Sequence, residues 1–252
     1  MILLKQALNK FASRFGYNIM KYPSSQFDTV PVFDLSVQFL MAVQGQKLEF
    51  IQIGANDGSF GDPLRKYILK FPWHGIVVEP QPDVFARLCA NYDAVKERLL
   101  FENIAIADHA GTITMYRRRA LPLAGSGDSQ ASTYAASVSS MNPEVVARQL
   151  HIQKGELERF SVPCSTLDKL AVQHQMFHID VLQIDAEGQD FSILKTLDLS
   201  STAPLIVQLE HGHLSPVDVD KCVHYLSTNG YRILYGGRQS DTLALHETFP
   251  LA

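Results

Sequence analysis

Cysteine is scarce in this chain: Cys89, Cys164 and Cys222 are the only three in 252 residues, odd in number and far apart. That spacing excludes a disulfide framework and a zinc knuckle, and it suits a reducing compartment. No apolar run approaches the roughly 20 residues that span a bilayer. The opening, MILLKQALNKF, lacks the apolar core and small-residue cleavage site of a secretory leader, so a cytoplasmic protein is expected. There is no excess of positive charge, with 22 Lys and Arg against 26 Asp and Glu for a net charge of −4. A general field for nucleic acid is therefore absent, and no aromatic-basic stripe replaces it. Also missing are a Gly-Lys-Ser/Thr phosphate loop, a G-x-G-x-x-G dinucleotide turn and an N/D-P-P-Y/F segment.

What remains is an ordinary globular composition, 46% hydrophobic and 19% charged, in a chain long enough for one large core. Residues 1–22 place Leu4, Leu8, Phe11, Ala12 and Phe15 at helical spacing with Lys5, Lys10 and Arg14 elsewhere. Two readings of that segment stay open: a helix packed on its own domain or on a second subunit, or a basic amphipathic helix on a membrane surface. A second helical segment runs from about Val32 to Val43, completing an N-terminal helical region over 1–46.

From residue 48 strands alternate with helices. LEFIQI (48–53), GIVVEP (75–80), LLFENIAIA (99–107), DVLQID (180–185) and PLIVQLE (204–210) read as strands. Helical patterns over 63–70, 83–92, 190–197 and 216–229 follow four of them, and YRILYG (231–236) with TLALH (242–246) closes as an antiparallel pair. This rhythm predicts βαβ units and a mostly parallel sheet covered on both faces. A Ser- and Gly-rich stretch between Leu123 and Asn142 interrupts it before a helical PEVVARQL (143–150), giving a lid-like insertion over about 120–158. Arg117-Arg118-Arg119 reads as a solvated turn at its edge, or as three arginines that could meet a phosphorylated or acidic acceptor, and Cys222 and Tyr225 read as core.

In open α/β sheets ligands sit at the carboxyl ends of the strands. The turn Gly54-Ala55-Asn56-Asp57-Gly58 follows the first strand, and Glu79 ends the second, 25 residues after Gly54. A carboxylate there can accept both hydroxyls of a ribose, while Asn56 and Asp57 can offer polar groups, so the pair signals an adenosine-type ligand. The plainer alternative is a tight strand-to-helix turn. Asp185 closes the fourth strand with Glu187 and Gly188 in the turn behind it, and Asp190 suits a cap or first helical turn. Asp185 or Glu187 could remove a proton from a hydroxyl or hold a divalent metal such as Mg²⁺. Glu210-His211-Gly212-His213 after the fifth strand offers further bases, or is a surface turn. For a metal, Asp185 and Glu210 are the candidate ligands.

The ordered series FIQIGANDG (50–58), VVEPQPDVFARL (77–88), ENIAIAD (102–108), STLDKL (165–170), VLQIDAEGQDFSIL (181–194) and IVQLEH (206–211) resembles the FkbM-type S-adenosylmethionine-dependent methyltransferases, of the class I, Rossmann-like kind. The resemblance spans Leu48 to Leu245 and leaves out 1–46 and 120–158. It implies a seven-stranded, mostly parallel sheet with helices on both faces and a C-terminal antiparallel pair, in a methyltransferase domain over 47–252. It implies S-adenosylmethionine as cofactor, with Gly54, Asn56 and Gly58 against its methionine part, Glu79 on the ribose and Pro80 shaping the strand exit. Ile104 and Ala105 would lie near the adenine, with Asn103 or Asp108 as polar contacts. Gln52 departs from the pattern, because many members carry an acid there. The implied reaction is O-methylation of a small-molecule hydroxyl on a sugar, saccharide or secondary metabolite, with Asp185, Glu187, Glu210, His211 and His213 as candidate bases. A fold that has lost catalysis and only binds an adenosine ligand is the rival, and a nicotinamide oxidoreductase a weaker one. The N-terminal helix is the expected site of any homo-oligomeric contact.

Overall fold

The computed structural model describes residues 32–59, 61–119, 135, 137–235 and 241–250. Along the chain they form α1 (Val32–Gln44), β1 (Glu49–Ile53), α2 (Arg65–Lys70), β2 (His74–Val78), α3 (Pro82–Asn91), β3 (Leu99–Glu102), β4 (Ala105–Ile106), β5 (Gly111–Arg118), β6 (Ser139–Ser140) and α4 (Pro143–Gln149). Then come β7 (Leu157–Ser165), α5 (Leu167–Gln173), β8 (Val181–Ile184), α6 (Asp190–Leu194), β9 (Ile206–Glu210), α7 (Pro216–Thr228), β10 (Tyr231–Tyr235) and β11 (Asp241–His246). The expected contact of residues 1–22, the Ser-rich residues 120–134 and residue 136 lie outside the described residues.

Seven strands form the main sheet in the order β10-β11-β9-β8-β1-β2-β3. The five from β3 to β9 pair in parallel, and β11 pairs antiparallel with both β9 and β10, as expected for a Rossmann-like sheet with a C-terminal antiparallel pair. Strands buried on both faces read as near-continuous apolar runs, which is why VLQI and IVQLE lack alternation. One face, with Ile51, Ile76, Leu182 and Val207, packs on α5, α6 and α7. The other, with Phe50, Val77, Val181 and Ile206, packs on α1, α2 and Trp73. On that second face Gln52, Gln183 and Gln208 stand in register across β1, β8 and β9.

The sequence reading differs from the structure in the middle of the chain. LLFENIAIA is two strands, because Asn103 leaves the ladder: its amide donates to the carbonyls of Glu79 (2.8 Å) and Pro80 (3.2 Å). After it the chain enters a second sheet, β4-β7-β5-β6, whose long strands β5 and β7 were not anticipated. Arg117-Arg118-Arg119 is accordingly no solvated turn. Arg117 and Arg118 lie on β5, and Arg117 pairs with Asp83 (2.7 Å) and Glu158 (2.8 Å) above the ring of Phe160.

Candidate active site

The carboxyl ends of β1, β2, β8 and β9 open into one cleft that encloses about 1110 Å³, its mouth included. Two close approaches shape it. Gly54, at φ 75°, passes so near the turn after β8 that a Cβ would stand 1.9 Å from the carbonyl oxygen of Asp185. The Asp185 N–H in turn donates to the Ile53 carbonyl (3.0 Å), locking the two strand ends together. Gly58 is needed for a different reason: a side chain there would collide with the Tyr92 ring and Leu88. It holds the turn against α3 rather than against the cleft.

Glu79 is buried at the end of β2, and its carboxylate accepts from the N–H groups of Asn56 (3.1 Å) and Gln81 (2.8 Å). Burial outweighs those two bonds and pushes its pKa up to about 8. Asp62, which the sequence reading missed, anchors the opposite wall. It accepts from Gln52 Nε2 (2.9 Å), from the Leu64 and Arg65 N–H groups at the start of α2, and from the Tyr92 hydroxyl (2.6 Å). An Asp just before Pro63 and a helical run is a capping signal that could have found it.

At the far end Asp185, Glu187, Glu210 and His213 gather. Glu187 sits at φ 51°, an unusual conformation for a glutamate. Its carbonyl accepts from Ser140 Oγ (3.0 Å) and its carboxylate from Gln149 Nε2 (3.0 Å), both from the inserted segment. His213 Nε2 lies 3.1 Å from Glu187 and 3.7 Å from Glu210, and its Nδ1 faces an Arg148 guanidinium nitrogen at 3.2 Å. A guanidinium only donates, so that contact makes Nδ1 an acceptor and puts the imidazole proton on Nε2, towards the glutamates. The bond to Glu187 and the nearby Glu210 charge raise the His213 pKa. Asp185 opens onto the cleft yet lies deep in the molecule; burial, then the charges of Glu187 and Asp241, raise its pKa. Burial, then Asp185 and Glu187, do the same to Glu210. The donor atoms of Glu187, Glu210 and His213 lie within 4.8 Å of one another.

The Methyltransferase FkbM domain model matches residues 52–233, well over half of the chain. The chain belongs to the FkbM methyltransferase family. Among solved structures it is similar to methyltransferase FkbM from Methylobacillus flagellatus KT, with 13% identity over 80% of this chain and a TM-score of 0.47. It spans 44% of that protein's length. It is also similar to the N-terminal domain of human METTL16 in complex with SAH (14% identity, 96% of this chain and 80% of the other, TM-score 0.41). A third is precorrin-6y C5,15-methyltransferase from Geobacter metallireducens GS-15 (10% identity, 90% and 97%, TM-score 0.41). No curated protein matches the chain.

In this FkbM domain the cleft is lined by Gln52, Gly54, Asn56, Glu79, Pro80, Ile104, Ala105, Asp185, Glu187 and Glu210 from the sequence-predicted set. Six others do not line it. Asp57 turns into its own loop, accepting from the Ser59 N–H (2.9 Å) and hydroxyl (2.7 Å), and Gly58 packs on α3. Asn103 clamps the β2 exit from behind, and Asp108 is exposed beside His109. His211 Nδ1 lies 2.9 Å from Thr242 Oγ1 on β11, and His213 stands behind the two glutamates. Asp190 opens α6 as a buried first-turn residue, tying the Ala186 and Gly188 N–H groups. Gln81, Gln149, Gln183 and Arg148 are contributors that the sequence reading did not single out. The inserted segment docks on the FkbM core through Gln81 Nε2 to the Ser137 carbonyl (2.7 Å).

Proposed function

We propose that this FkbM methyltransferase is an S-adenosylmethionine-dependent O-methyltransferase acting on a hydroxyl of a small molecule, a sugar or a secondary metabolite. The observation that carries the reading is one cleft with a buried carboxylate, Glu79, at one end and three carboxylates able to accept a proton, Asp185, Glu187 and Glu210, at the other. S-adenosylmethionine supplies an activated methyl group. The chain's own tasks are then to hold a ribose through the Glu79 fork, to pack an adenine against Ile104 and Ala105, and to place an acceptor hydroxyl in line. Gly54 and Asn56 leave room for an amino-acid moiety beside Gln52.

The acceptor's proton goes to a carboxylate. With Arg148 on Nδ1, His213 is a donor that steadies Glu187 and Glu210, and those two, with Asp185, are the groups able to accept. The raised pKa values of Asp185 and Glu210 bring those two closer to neutral pH, where a base both stays ionised and holds the proton it receives. The cluster fits a divalent metal less well than an organic donor. A ligating imidazole hands its other N–H to an acceptor, and here the neighbour of Nδ1 is itself a donor.

Calorimetric titration of the full chain with S-adenosylmethionine and, separately, with NAD(H) tests the reading. S-adenosylmethionine is expected to bind, with affinity reduced by roughly tenfold or more in Glu79→Ala as the hydrogen-bond partner of the ribose hydroxyls is lost. Binding of NAD(H) alone overturns it, and binding of S-adenosylmethionine with no methyl transfer to any hydroxyl compound assigns the chain to the binding-only rival.

A further inference from the structure

The described lining of the cleft is short of positive charge. It carries five carboxylates, Asp62, Glu79, Asp185, Glu187 and Glu210, and neither lysine nor arginine. Two more acceptors stand on its floor. Gln52 and Gln183 are side by side on β1 and β8, 1% and 5% exposed, and the Oε1 of each meets no donor among the described residues. A buried amide oxygen without a partner is costly, so these two atoms await donors from whatever fills the cleft.

Asp62 is spent on Gln52, Tyr92 and the start of α2. On the reading above Glu79 serves the ribose, and Gln52 lies next to the amino-acid end. That leaves Asp185, Glu187, Glu210 and Gln183 around the acceptor. Of the nearby cations, Arg148 lies on the outer side of His213, and His213 itself faces Glu187 and Glu210. One imidazole against three carboxylates leaves the acceptor end net negative. A phosphate, sulfate or carboxylate on the acceptor would meet like charge there, with no guanidinium or ammonium among the described lining residues to receive it.

We propose that the methyl acceptor carries an ammonium group beside the hydroxyl that is methylated, as in an amino sugar or amino alcohol. The inference rests on the methyltransferase reading and names its substrate class. An ammonium has three donors and no acceptor, the complement of Gln183 Oε1 and the carboxylates, and it supplies the missing charge. Burial and mutual repulsion lift the pKa values of Asp185 and Glu210, the state of a carboxylate group that lacks a cation.

The test is calorimetry on the full chain saturated with S-adenosylhomocysteine, using three compounds on one ring: D-glucosamine, D-glucose and D-glucose 6-phosphate. D-glucosamine is expected to bind on the order of tenfold more tightly than D-glucose, with the 6-phosphate weakest. Glu210→Gln and, independently, Glu187→Gln should each cut the glucosamine preference to about threefold or less, because each removes one charge. Circular dichroism of both variants checks that they are folded. Equal affinity for glucosamine and glucose, tighter binding of the phosphate, no binding of the amine, or Mn²⁺ displacing it from the same carboxylates overturns the inference. Failure of S-adenosylhomocysteine itself to bind sinks the methyltransferase reading instead.

Discussion

Glu79→Gln separates what the buried acid contributes to binding from what it does to the fold. In the folded chain the carboxyl ionises near 8 rather than at its ordinary 4.5, chiefly because it is buried. Between those limits the folded chain keeps a proton that the unfolded chain has released, so stability falls as pH rises through the window. At about 1.4 kcal/mol per pH unit, the penalty is roughly 3 kcal/mol at pH 7 and roughly 5 kcal/mol by pH 9. Glutamine removes the titration but presents an NH₂ where one backbone N–H, of Asn56 or Gln81, needs an acceptor. That loss costs about 2 kcal/mol at any pH. The two contributions balance near pH 6. Urea unfolding at pH 5, 7 and 9 should therefore find the variant about 1 kcal/mol less stable than the parent at pH 5 and about 3 kcal/mol more stable at pH 9. Other titrating groups are shared and cancel in the difference. Stability curves that stay parallel, with the variant below the parent throughout, would refute the raised pKa and with it the picture of a dry ribose-binding end.

Two further outcomes follow from the same geometry. Gly54→Ala puts a methyl group onto the Asp185 carbonyl at a positive φ, so unfolding should show a loss of roughly 2–4 kcal/mol; a loss under about 1 kcal/mol would mean the β1 and β8 ends are not locked. Arg148→Met removes the donor from His213 Nδ1. Side-chain ¹⁵N spectra should change from a single Nε2–H tautomer to a mixture, with the imidazole titrating at higher pH because Arg148 lowers its pKa. An unchanged spectrum would show that Arg148 does not set the tautomer.

The main sheet could be read from the sequence because its strands are short apolar runs, each closed by a chemically distinctive residue such as Gly54, Glu79 or Asp185. Local pattern carries that information. The second sheet could not be read in the same way. GTITMYRR ends in two arginines, and LERFSVPCS mixes charge with apolar residues, since one face of these strands is wet. Sequence pattern names residues at strand ends that line the cleft, and does not name residues that meet across distance. Arg148 meets His213 across 65 positions, and Gln81 meets Ser137 across 56. Gln183 carries no signal of its own, although it sits one residue before the end of β8, in the same phase as Gln52. Motif position predicts Asp57, Gly58 and Asp108 at the cofactor, and none of the three lines the cleft.

The chain leaves the main sheet at Asn103 and leaves the second sheet at Thr166 to enter α5, and the two ends of that excursion are joined by a hydrogen bond from the Ala107 N–H to the Ser165 carbonyl (2.9 Å). The wall of the cleft made by Ile113, Met115, Val138 and Met141 is thus a cassette on a single closed stem. It can be lengthened, shortened or replaced without reordering any strand of the main sheet, because its ties to the main domain outside the stem are side-chain contacts such as Gln81 to Ser137 and Gln149 to Glu187. Selection for a new acceptor can act on that cassette while the ends of β1 and β2 stay as they are, and an engineer can cut at the same two points.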